Sequence, residues 1–202
     1  SPGVWTLGVS LAVRQGELVA PQTCDLPIAF DEEMPVVVSE YTVGNARVRS
    51  ELCHLGGPGW QGVDFFRAAI DREVEDAALA IGDVGPAGGK IGEISWDEPA
   101  GTLNVEGGAK FVFETPVRVE IFPADEAHDC PFALAHFQRE LAVRVLHGFE
   151  ARTIRMPDAP APVRCSMSVE EGFAEARRQW KAALPSRVYG PDVRIEKTWR
   201  QT

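Results

Sequence analysis

The chain predicts an α+β fold: two antiparallel β-meanders with three amphipathic helices on a single core, extended by a C-terminal helix and strand. Three observations predict it. From residue 5 to residue 13 apolar side chains alternate without a miss (Trp5, Leu7, Val9, Leu11, Val13), the period of a half-buried strand. Two later stretches change to helical spacing, with Val63, Phe66, Ile70, Val74, Ala77 and Ile81 on one stripe and Leu134, Phe137, Leu141 and Val145 on another. Ser168, followed three residues on by Glu171, forms a capping box that opens a third stripe.

Taken in order, the first strand turns at Gln15-Gly16 and returns as a short partner over 17–20. Pro27 and Pro35 enclose the acidic run Asp31-Glu32-Glu33, so 24–35 reads as an irregular connection. Residues 36–43 and 46–55 form two more strands hinged at Gly44-Asn45, where glycine supplies the positive φ a tight hairpin needs. Gly56-Gly57-Pro58-Gly59 ends this meander, and the first helix is expected over 61–81 with Gly82 as its stop. Strands resume at 91–96, 103–105 and 110–122, with Pro116 confining the last to an edge or a bulge. The second helix runs from Pro131, which suits a first helical position, to Gly148. A short strand over 150–155 precedes the Pro-rich connector 156–163. The third helix carries Val169, Phe173, Ala176, Trp180 and Leu184 up to Pro185, and a terminal strand fills 188–199.

At 202 residues, 45% hydrophobic and 25% charged, the chain has the size and usage of one folded domain. Its expected organisation is an α+β core over 1–155, the connector 156–163, and an extension over 164–202 that packs on the core or on a neighbour. No apolar run approaches the roughly 20 residues of a membrane-spanning helix. The first residues also lack the basic and apolar regions of a signal peptide. The expectation is a soluble protein of the cytoplasm, or part of a particle assembled there, without a membrane partner.

Charge is distributed unevenly along the chain. The formal net charge is −10, which repels phosphate backbones and argues against nucleic-acid binding. Residues 1–100 hold 6 Lys+Arg against 16 Asp+Glu, whereas 101–202 hold 14 of each. From residue 151 onward 10 basic residues face 6 acidic ones, a net of +4. A basic tail that docks on the acidic surface of a neighbouring copy makes a head-to-tail contact, which closes as a ring or grows as a filament. Trp199, Arg194, Arg200, Lys197 and Arg187 are the interface candidates, because Trp and Arg are enriched at interface hot spots. Trp60 and Trp96 are weaker contact candidates.

The tests for chemistry fail on residue type or spacing. Gly85 to Ile91 has the glycines and the lysine of a phosphate-binding loop but a displaced first glycine, no hydroxyl after Lys90, and a strand following it. Cys24, Cys53, Cys130 and Cys165 lie far apart with no CxxC pair, so reduced thiols are expected. His128, Asp129, Cys130 and His136 offer metal-ligating atoms, and His136, Glu140 and His147 share a face of the expected helix. Arg144 sits on that face too, where it repels a dication and pairs with Glu140, while the helix dipole accounts for His147. Adjacent strand residues point to opposite faces, which separates Cys53 from His54. No GxSxG elbow is present, and the paired carboxylates fall in turns or on a solvated helix face. No catalytic residue, metal or cofactor is assigned.

The expected function is a non-catalytic structural or assembly subunit of a ring, connector, tail-like or secretion machine, whose partners are copies of itself or another subunit. An accessory protein that partners an enzyme, and a small α+β enzyme without a recognisable motif, are the alternatives.

Overall fold

The computed structural model describes residues 7–19, 28–30, 36–56, 62–83, 92–106, 109–125, 130–147 and 165–183. Among them are thirteen strands and one helix. The strands are β1 (Leu7–Gln15), β2 (Glu17–Val19), β3 (Ile28–Phe30), β4 (Val37–Val43), β5 (Ala46–Gly56), β6 (Gly62–Ile70) and β7 (Asp76–Asp83). They continue as β8 (Ile94–Asp97), β9 (Thr102–Val105), β10 (Ala109–Phe113), β11 (Arg118–Phe122), β12 (Phe132–His136) and β13 (Glu140–His147), followed by helix α1 (Val169–Ala183). The fold is therefore mostly β, and the α+β class with three helices is overturned.

The strands form two antiparallel sheets, one in the order β11-β12-β7-β1-β2 and the other β3-β4-β5-β6-β13-β10-β9-β8. The main core lies between them. Leu11, Val13, Leu79, Ile81, Ala133 and Ala135 of the five-stranded sheet pack with Val48, Ile70, Leu103, Phe111, Leu141 and Val143 of the eight-stranded one. A second core covers the opposite face of the eight-stranded sheet, where Val36, Val38, Cys53, Val63 and Phe65 meet Val169, Phe173 and Ala176 of α1. The larger sheet is thus the middle of three layers.

That position explains both false helices. A strand with one wet face alternates apolar and polar residues, but a strand buried on both faces is apolar at almost every position. In β6, Val63 and Phe65 face α1 while Phe66, Ala68 and Ile70 face the main core, so the alternation disappears. The 61–81 stripe spans two strands in different sheets, β6 and β7, with a turn over 71–75 between them. The 131–148 stripe likewise divides into β12 and β13. Leu141, Val143 and Val145 alternate as strand residues there, with Ala142, Arg144 and Leu146 opposite.

Two further corrections concern strand boundaries. The expected strand 110–122 is β10 and β11, in different sheets. Around Pro116, which has no N–H to donate to a ladder, the chain crosses from one sheet to the other. Thr115 accepts the N–H of Ala142 through its Oγ1 at 3.1 Å, holding the start of that crossing to β13. The connection 24–35 also contains β3, which pairs with β4.

Elsewhere the local chemistry sets the elements as read. β1 pairs with β2 around Gly16 at φ +80°, and β4 pairs with β5 around Gly44 at φ +58°. α1 begins with the capping box: Ser168 Oγ accepts from Glu171 N at 3.2 Å, and Glu171 Oε2 accepts from Ser168 N at 2.7 Å. Val169, Phe173 and Ala176, at helical spacing, are each at most 3% exposed. Among the described residues no helix is long and apolar enough to cross a membrane. The expected strands 150–155 and 188–199 and the connector 156–163 lie outside the described residues.

Candidate functional site

Charged side chains concentrate in two places on the eight-stranded sheet, and they are treated oppositely. On the face under α1, Arg47, Arg49 and Glu51 occupy alternate positions of β5 and so point the same way. Glu40 on β4 pairs with Arg47 at 2.5 Å and with Arg49. Glu51 is paired with Arg49 and Arg67, each at 2.5 Å, and Arg67 reaches Glu170 of α1 at 2.9 Å. The Arg67 guanidinium also lies 4.4 Å above the centre of the Phe173 ring, a cation–π contact. One chain of ion pairs therefore runs from the β4–β5 hairpin to the first turn of the helix.

Titration follows from this pairing. Burial opposes ionisation of Glu51, but Arg49 and Arg67 outweigh it and hold its carboxyl below the ordinary range. Arg47 and Arg49 do the same for Glu40. A second clamp holds the helix start: both Glu114 carboxylate oxygens lie 3.0 Å from the Val169 N–H, and Arg144 lies 2.9 Å from Glu114. Arg144 also donates to the carbonyls of Cys165 and Met167 at 3.0 and 2.8 Å. The carboxylate at the first turn is the placement that a helix dipole favours.

The other concentration is the β8–β9 hairpin on the edge of the same sheet. Glu93, Asp97, Glu98 and Glu106 are all exposed, and none has a cationic partner among the described residues. Asp97 Oδ1 accepts from Ala100 N and Glu106 Oε2 from Glu93 N, so two of the four shape the hairpin through backbone bonds. Among the described residues no cationic side chain compensates their charges.

The chemical candidates from the sequence are dispersed. Cys53 and His54 do point apart: Cys53 is 2% exposed beneath α1, where burial pushes its thiol up to about 12, and His54 is exposed with Nδ1 2.6 Å from Asp64 Oδ1. A thiol held protonated is a poor nucleophile. His136 ends β12 in one sheet and Glu140 opens β13 in the other, so the helical face expected to join them with His147 does not exist. The helix-dipole account of His147 falls with it, since His147 ends a strand. Arg144 pairs with Glu114, not with Glu140.

His136 itself lies between carboxylates, with Nδ1 2.9 Å from Asp76 and Nε2 3.8 Å from Glu120. Among the described residues no group of three or more His, Cys, Asp or Glu side chains can hold a metal ion. His128, Asp129, Trp60, the 85–91 loop and the interface candidates Arg187, Arg194, Lys197, Trp199 and Arg200 lie outside the described residues. Trp96 is half-buried and packs edge-on against Phe113 at 5.8 Å.

The ion-pair chain under α1 escaped the sequence reading because its members are far apart: Glu51 and Arg67 are 16 residues distant, and Arg67 and Glu170 are 103. Its one local signal was the alternation of charge along β5. By architecture the described residues form an antiparallel β-sandwich, and the one helix among them packs on its larger sheet. No protein-family model matches it, and no curated protein matches it.

Proposed function

We propose that this chain is a non-catalytic β-sandwich subunit of a larger protein assembly, in which the acidic N-terminal half of one copy receives the basic C-terminal segment of a neighbour. One observation carries the reading. Glu40 and Glu51 are matched by arginines on the same sheet face, whereas Glu93, Asp97, Glu98 and Glu106 at the β8 edge have no cationic partner among the described residues. An exposed strand edge carrying unmatched charge suits a partner of opposite sign. The +4 balance beyond residue 150 supplies that sign within the same sequence.

The test is the mass in solution of the full chain by light scattering at about 50 and about 500 mM salt, since screening shortens the reach of surface charge to a few ångströms near 1 M. A discrete oligomer that weakens with salt is the expected result. A chain truncated before residue 187 should stay folded and monomeric. A monomer at both salts, or unimpaired assembly of the truncated chain, overturns the reading.

A further inference from the structure

We draw no further inference here: the strongest candidate, the outer face of the five-stranded sheet, where Gly8, Ser10, Ala12, Ala78 and Ala80 make a floor of small residues beside the stacked Phe122 and Phe132 rings, is an unpartnered sheet face, and nothing among the described residues shows what covers it.

Discussion

Replacing Gly172 by alanine should destabilise this protein, against the usual effect of the change. In a helix interior, alanine is favoured over glycine by about 1 kcal/mol because it loses less backbone entropy. Gly172 is the fourth residue of α1, closing its first turn directly over Phe65, and a Cβ there would fall 2.2 Å from Phe65 Cδ1 and 2.3 Å from Cε1. Those distances are more than 1 Å inside van der Waals contact. Phe65 is fully buried, so its ring has no free space to move into. Overpacking of a closed core costs about 1–3 kcal/mol, and a clash this deep belongs at the upper end. Subtracting the propensity gain leaves a loss of about 2 kcal/mol, or roughly 4–8 °C in Tm for a chain of this length. Ala174→Gly, on the exposed side of the same helix, is the control and should cost about 1 kcal/mol through propensity alone. Urea unfolding followed by circular dichroism measures both. If Gly172→Ala stabilises the protein while Ala174→Gly destabilises it, α1 does not lie on Phe65.

Three other outcomes follow from the same packing. Glu51→Gln should cost about 2 kcal/mol at neutral pH, because two arginines lose a charged acceptor. Since the folded carboxyl is held low, its contribution is present above the unfolded value of about 4.3 and is lost as pH falls through the folded value. The variant should therefore show a shallower acid loss than the wild type below about pH 4.3, and identical acid profiles would contradict the pairing. Thiol mapping with iodoacetamide in the native state should modify Cys130 and Cys165 while sparing Cys53, which is buried and held protonated; early alkylation of Cys53 would mean that α1 does not cover it. Phe111→Ala, at a fully buried position between the sheets, should cost about 3–5 kcal/mol in urea unfolding, and a loss below 1 kcal/mol would place Phe111 outside the main core.

What could be read from the sequence divides by how many faces of a strand are buried. β1 has one face in the core, with Leu11 and Val13 inward, and it stands out as clean alternation. The β4–β5 hairpin was legible because Gly44-Asn45 marks the turn locally. β6 is apolar on both faces because α1 covers one and the main core the other, and a run apolar on both faces carries no period of its own. Any sparse subset of it then fits a helical stripe, and Val63, Phe66 and Ile70 fitted one. α1 was legible because its determinants are local: the Ser168–Glu171 box and a single apolar stripe bounded by charged residues. Chemistry followed the same division. The separation of Cys53 from His54 required only strand geometry, whereas the fate of Arg144 required knowing that β10 pairs with β13, which sets Glu114, the residue after β10, beside Ala142 and Arg144.

The carboxylates of the β8–β9 hairpin, which have no cationic partner among the described residues, admit two physical accounts, and one variant separates them. Charge on an edge strand keeps sheets from pairing edge to edge, so Glu93, Asp97, Glu98 and Glu106 would serve as guards whether or not any partner exists. As a docking surface they would instead attract the basic C-terminal segment. Replacing all four by their amides removes the charge and keeps the shape. Under the guard account, the variant gains a concentration-dependent association that is insensitive to salt and persists when residues 187–202 are removed. Under the docking account, it loses the salt-sensitive oligomer of the full chain and resembles the truncated one. Light scattering on the four combinations of amide substitution and truncation reads the coupling between edge and tail. Independent effects of the two changes would exclude the docking account, because two surfaces that meet cannot be removed additively.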